Sequence, residues 1–196
     1  MRALVLCLLL LAGCSMGGGE PTYLVDPSDL ADIDLGAGST EESVRLGGGP
    51  RMSFILDVPP EASGGDVPLV VAMPYAGEAF ASARQYHAIL AQPGLSDLGA
   101  IVVVPVAFDV TWQTEAAVTA VSSFVRAAVE AWPVDAERVA VTGYSNGGNG
   151  AWAQAAEHAD LYAAAIPMGA FAPRDAPVGI PFYVIHGEND ELVPIT

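Results

Sequence analysis

Apolar residues along this 196-residue chain come in short blocks separated by turn-forming residues. Met52–Val58 is strand-length and is closed by Pro59 and Pro60, with Ser63-Gly64-Gly65-Asp66 as the following turn. Leu69–Met73 and Ile101–Val104 are continuous apolar runs, the pattern of strands buried on both faces. Arg138–Thr142 reads the same way, and Tyr162–Ile166 and Pro181–His186 complete the strand set. Helical stretches lie between them at Ser82–Ala91, Thr114–Trp132 and Asn146–His158. In the second, Val118, Val121, Val125 and Val129 fall on one helical face, and Pro133 stops the helix. Strands alternating with helices predict the α/β class: a doubly wound, mostly parallel sheet with helices on both faces.

The start of the chain has a different pattern. Met1-Arg2 precedes an unbroken apolar run, Ala3–Ala12, which is too short for a membrane-spanning helix of about 20 residues but suits a secretory signal. It ends in Leu11-Ala12-Gly13-Cys14, which resembles the processing box of bacterial lipoproteins. That resemblance implies a signal peptide over 1–13, lipid attachment at Cys14, and export to the cell envelope, with the membrane met only through the lipid. Ordinary cleavage with Cys14 incidental is the competing reading. Cys7 leaves with the signal and Cys14 carries lipid, so the mature chain is expected to hold no disulfide. Residues 14–49, acidic and bracketed by two Gly-Gly-Gly runs, predict a tether; the domain proper is expected over 50–196.

Composition narrows the partners. Hydrophobic residues are 52% and charged ones 15%, which argues for a globular chain. There is no lysine, and 7 arginines against 23 acidic residues give a net charge of −16, so nucleic acid is a poor partner. Asp32 and Asp34 begin like a calcium loop, but the ligands expected at Gly36 and Ser43 are missing. No metal or cofactor is implied.

Chemistry concentrates at Gly143-Tyr144-Ser145-Asn146-Gly147, a G-x-S-x-G placed between a buried strand and a helix. A serine on such a turn stands above the sheet as a nucleophile, and the neighbouring backbone leaves no room for side chains at Gly143 and Gly147. The amide of Asn146, at the helix N-terminus, points where an oxyanion would develop.

Val141–Gly148 resembles the elbow of secreted α/β-hydrolase esterases, the group of polyhydroxybutyrate depolymerases, feruloyl esterases and related carboxylesterases. Pro133–Gly148 is its most specific stretch, and the similarity runs from Arg51 to the end. It implies a serine hydrolase of small or polymeric carboxylic esters. His186-Gly187-Glu188-Asn189-Asp190, followed by Val193-Pro194, resembles the family's acid loop and implies that Asp190 orients a catalytic histidine. Ala76 matches the second oxyanion donor, although Pro74-Tyr75 stands where the family has His-Gly.

A base for Ser145 is harder to find. The chain has three histidines. His158 lies some 20 Å along the helix leading away from the serine. His186 matches a structural position of the family, and His87 reads as a surface or boundary residue. The family's histidine follows the acid, so the sequence is expected to stop before it, short of a last strand and helix, and the chain as written to be inactive. A non-catalytic surface lipoprotein and a peptidase of the same fold remain open alternatives.

Overall fold

The computed structural model describes residues 22–173 and 179–195. Its apolar blocks assemble one six-stranded mixed sheet in the order β1-β2-β4-β3-β5-β6. The strands are β1 (Gly38–Arg45), β2 (Arg51–Val58), β3 (Val67–Met73), β4 (Ile101–Pro105), β5 (Val134–Tyr144) and β6 (Ala164–Met168). β3 pairs in parallel with β4 and β5, and β5 with β6. The β1–β2 and β2–β4 pairings are antiparallel.

Continuous apolar runs occupy the centre because both faces there are covered. On one face, α4 (Glu115–Ala131) and α5 (Asn146–Glu157) close a core that contains Leu69, Val71, Met73 and Val141. Phe124 of α4 packs edge-on against Phe54 at 5.0 Å and Trp132 at 5.6 Å. Each such aromatic pair adds about 1 kcal/mol beyond its buried area. On the other face lies α2 (Ala79–Tyr86), then a π-type turn over His87–Ala91 and the helical turn α3 (Gln92–Leu95). Tyr86 and Ala83 bury Val70, Ala72, Val102 and Val104 there. Helix caps follow local chemistry: Thr114 Oγ1 accepts from the Ala117 amide, and Glu78 accepts from the Phe80 and Ala81 amides.

Three expectations need correction. The described part of the expected tether, from Thr22 on, belongs to the domain. Gly38–Arg45 pairs along its whole length with β2, and Val25, Leu30, Val44 and Leu46 are buried. Trp132 Nε1 donates to the Leu30 carbonyl at 3.0 Å, fastening the short helix α1 (Pro27–Ala31) to the end of α4. The hydrophobic pattern missed β1 because backbone hydrogen bonds hold this edge strand and Val44 is its one buried side chain. The expected signal and Cys14 lie outside the described residues.

The helix expected over Ser82–Ala91 starts at Ala79 and is α-helical only to Tyr86. Pro181–His186, expected as a strand, runs parallel beside β6 but forms only isolated bridges, Ala165 with Phe182 and Met168 with Ile185. Tyr183, Val184 and Ile185 remain exposed.

Candidate active site

β5 ends at Tyr144 and α5 begins at Asn146, leaving Ser145 alone on the turn. Its backbone sits at φ 54°, ψ −116°, a conformation that costs a non-glycine residue about 1–3 kcal/mol. Two hydrogen bonds hold it there. The Ser145 amide donates to the Met168 carbonyl at 2.9 Å, and its carbonyl accepts from the Asn149 amide at 3.0 Å. The turn is tight enough to exclude side chains on either side of the serine. A Cβ at Gly143 would run into the Gly147 carbonyl, and one at Gly147 into the Met73 carbonyl and, at 2.7 Å, the Pro74 oxygen. α5 therefore leaves directly across the end of β3, which brings the loop after β3 to the serine.

Ala76 and Asn146, the expected oxyanion donors, line one small cleft of about 50 Å³ together with Gly77, Ser82 and Asp109. Pro74 offers its carbonyl to Trp112 Nε1 at 2.9 Å. Tyr75 lies edge-on to Tyr144 with ring centres 6.2 Å apart, and its hydroxyl donates to Gln85. Trp112, buried beneath the loop, also packs where a side chain at Gly150 would otherwise stand. Sequence reasoning missed Trp112, which sits in an irregular segment where no periodicity marks it as buried.

Asp190 occupies the loop after Pro181–His186. Its Oδ1 accepts from the Val193 amide at 2.9 Å and the Leu192 amide at 3.0 Å. The Val193 amide above all, then Leu192 and the nearby His186 ring, hold its carboxyl below the usual range. It shares an apolar groove of about 470 Å³ with Tyr144, Met168, Ile185, Ile89 and Leu90. The elbow and the acid loop thus meet at the C-terminal edge of the parallel strands, where α/β sheets gather their chemistry.

None of the three histidines is hydrogen-bonded to Ser145 among the described residues. His87 pairs with Asp57 at 2.7 Å, beside α2. His186 Nε2 donates to the Val193 carbonyl at 2.5 Å and lies 3.7 Å from Asp190. His158 ends α5, at the far end from the elbow. Among the described residues, no group of three His, Cys, Asp or Glu side chains is placed to hold a metal, and no helix is long and apolar enough to cross a membrane.

Residues 100–196 match the model of the Dienelactone hydrolase family. A thermostable esterase aligns with a TM-score of 0.64 at 25% identity, over 80% of this chain and 48% of that one. The chain has the α/β-hydrolase fold. It spans about half the length of that esterase. Two further solved structures share the fold. Est1E from Butyrivibrio proteoclasticus has a TM-score of 0.61 at 16% identity, covering 79% of this chain and 80% of that one. XC6422 from Xanthomonas campestris, an α/β serine hydrolase without a lid, has 0.59 at 20% identity, covering 81% and 75%. No curated protein sequence matches the chain. Within the α/β-hydrolase fold, the strand order puts Ser145 at the tip of β5, between β3 and β6, and the isolated bridges put Asp190 after the segment beyond β6.

Proposed function

We propose that this α/β-hydrolase is a serine hydrolase of carboxylic esters that forms an acyl-enzyme at Ser145. The observation carrying this reading is the strained Ser145 backbone at the strand-to-helix turn, beside a cleft lined by both Ala76 and Asn146. In the reaction, Ser145 Oγ adds to the ester carbonyl carbon. The amides of Ala76 and Asn146 receive the carbonyl oxygen as it gains charge; one such donor is worth about 10²–10³ in rate. The alcohol then leaves, and water hydrolyses the acyl-enzyme. Asp190 orients the histidine that moves the proton, and none of His87, His158 and His186 is placed to be it. The esterase among the similar structures favours an ester over an amide substrate. We place the protein at the cell envelope, exported by residues 1–13 and lipid-anchored through Cys14, on the pattern of its first residues.

The test uses a fluorophosphonate, which modifies an elbow serine without needing turnover. The purified chain is expected to take up one equivalent slowly at Ser145, and Ser145→Ala none, with ester turnover near zero. Uptake that survives Ser145→Ala removes Ser145 as nucleophile. Efficient ester hydrolysis abolished by Ser145→Ala would show that the base is present after all. Ester and peptide substrates assayed side by side separate an esterase from a peptidase.

A further inference from the structure

Ser39, Asp57 and Val102 form one row across the sheet. Asp57 stands opposite Ser39 in the β1–β2 ladder and opposite Val102 in the β2–β4 ladder, so the three side chains share a face. It is the face that α2 covers, where Val102 packs with Ala83 and Tyr86. After Tyr86 the chain enters the π-type turn His87–Ala91, a distortion that recurs at functional sites. Between this turn, α3 and the row lies a cleft of about 560 Å³, within the range of sites for small organic molecules. Val102 and Ala140 both stand opposite Val70, so the cleft lies about five residues, ~16 Å, down the strands from Ser145.

The walls select the occupant. Val58, Leu95 and Val102 give apolar surface, and Asp57 and Glu61 bring carboxylates to it. His87 fixes Asp57: its Nε2–H is shared between the two carboxylate oxygens at 2.7 and 3.0 Å. Both side chains are largely withdrawn from water, His87 17% and Asp57 23% exposed. A carboxylate accepts about four hydrogen bonds, so this one shared donor leaves Asp57 with capacity for a ligand. Among the described residues no arginine lines the cleft, and the chain has no lysine, so an anion would enter without a countercharge. A bare metal ion is not served either, since no three His, Cys, Asp or Glu side chains are grouped to ligate it among the described residues. We propose that this cleft is a second binding site, for a small organic cation. A protonated amine donates to Asp57, and its apolar body lies against Val58, Leu95 and Val102. The net charge of −16 draws such a ligand in and rejects its anionic analogue. An ammonium on a carboxylate is about twice as strong a hydrogen bond as a neutral one, so charge separates an amine from the alcohol of the same shape.

The test titrates the full chain near neutral pH with cyclohexylmethylamine, cyclohexylmethanol and cyclohexanecarboxylate, read by calorimetry and by backbone amide shifts. The amine is expected to bind saturably, with shifts centred on Ser39, Asp57 and Val102. The alcohol should bind about tenfold more weakly and the carboxylate not at all. Asp57→Asn keeps the side chain's size and an acceptor for His87; it should weaken the amine about tenfold and leave the alcohol unchanged. Glu157→Gln removes an equal charge from the exposed end of α5, on the other face of the sheet, and should change nothing. Ser39→Phe, at an exposed strand position, fills the cleft without touching the His87–Asp57 pair and should abolish binding of amine and alcohol alike. If Asp57→Asn does not fold, Ser39→Phe decides: lost binding supports the site, and retained binding overturns it. Equal affinity for amine and alcohol, amine binding indifferent to Asp57→Asn, or equal weakening by Glu157→Gln overturns the proposal. Shifts that spread over the acidic surface without saturating overturn it too, as general attraction of a cation to an acidic chain.

Discussion

Replacing Gly147 with alanine sets two effects of opposite sign against each other. Helix propensity favours the change by about 1 kcal/mol, since Gly147 lies in the first turn of α5. Packing opposes it. The new Cβ would stand 2.5 Å from the Met73 carbonyl carbon and 2.7 Å from the Pro74 oxygen, and closer still to the Met73 oxygen. Carbon contacts relax near 3.5 Å, so α5 or the end of β3 must move by about 1 Å. Neither can do so freely, because Ala72 and Met73 are in register with Thr142 and Gly143 across the β3–β5 ladder. Overpacking against mobile side chains costs about 1–3 kcal/mol; against fixed backbone the upper end applies, and strand pairing is lost as well. The clash wins, with an expected net loss of about 3 kcal/mol. Urea unfolding with an unchanged m value reads this directly. Gly94→Ala is the matched control: nothing lies within 4 Å of its added Cβ, and the change should stabilise by about 0.5 kcal/mol. A Gly147→Ala protein within about 1 kcal/mol of the parent would refute the close approach of α5 to β3.

Ser145→Gly should be about 1 kcal/mol more stable than Ser145→Ala, because only glycine accepts φ 54° without strain; paired thermal melts decide. The Asp190 carboxyl is held below its ordinary range by the Val193 and Leu192 amides, so its contribution is complete above the unfolded carboxylate pKa. That contribution is lost as pH falls through the lower folded value, so exchange at the Leu192 and Val193 amides should accelerate only in acid, and Asp190→Asn should remove the pH dependence. Gln154 is fully buried, donates to the Val118 carbonyl at 3.0 Å and accepts from the Tyr162 hydroxyl at 2.8 Å. Gln154→Leu should cost about 1–3 kcal/mol by stranding both partners, and adding Tyr162→Phe should recover part of it in urea unfolding.

Legibility tracked how local the cause was. The α4 stripe announced itself, and Val118, Val121 and Val125 are buried where the spacing puts them. The elbow was legible because a turn this tight admits only glycine at positions 143 and 147, a requirement met within a few residues. β1 was not legible, since an edge strand held by backbone pairing leaves its outward side chains free to be polar. Trp112 was invisible for another reason. It gains its meaning from a partner far along the chain, the Pro74 carbonyl.

By itself the sequence determined the alternation of strands and helices, the strand-to-helix turn that isolates Ser145, and the acidic, lysine-free composition. Each follows from periodicity, glycine placement or a count. Tertiary structure alone decided that the stretch from Thr22 joins the domain and that Pro181–His186 is only loosely bridged to β6. It also decided that the Pro74 carbonyl meets the Trp112 ring nitrogen and that Gln154 bridges the Val118 carbonyl and the Tyr162 hydroxyl. These are distances between segments brought together by burial of the two sheet faces, and local residue preferences carry no information about them.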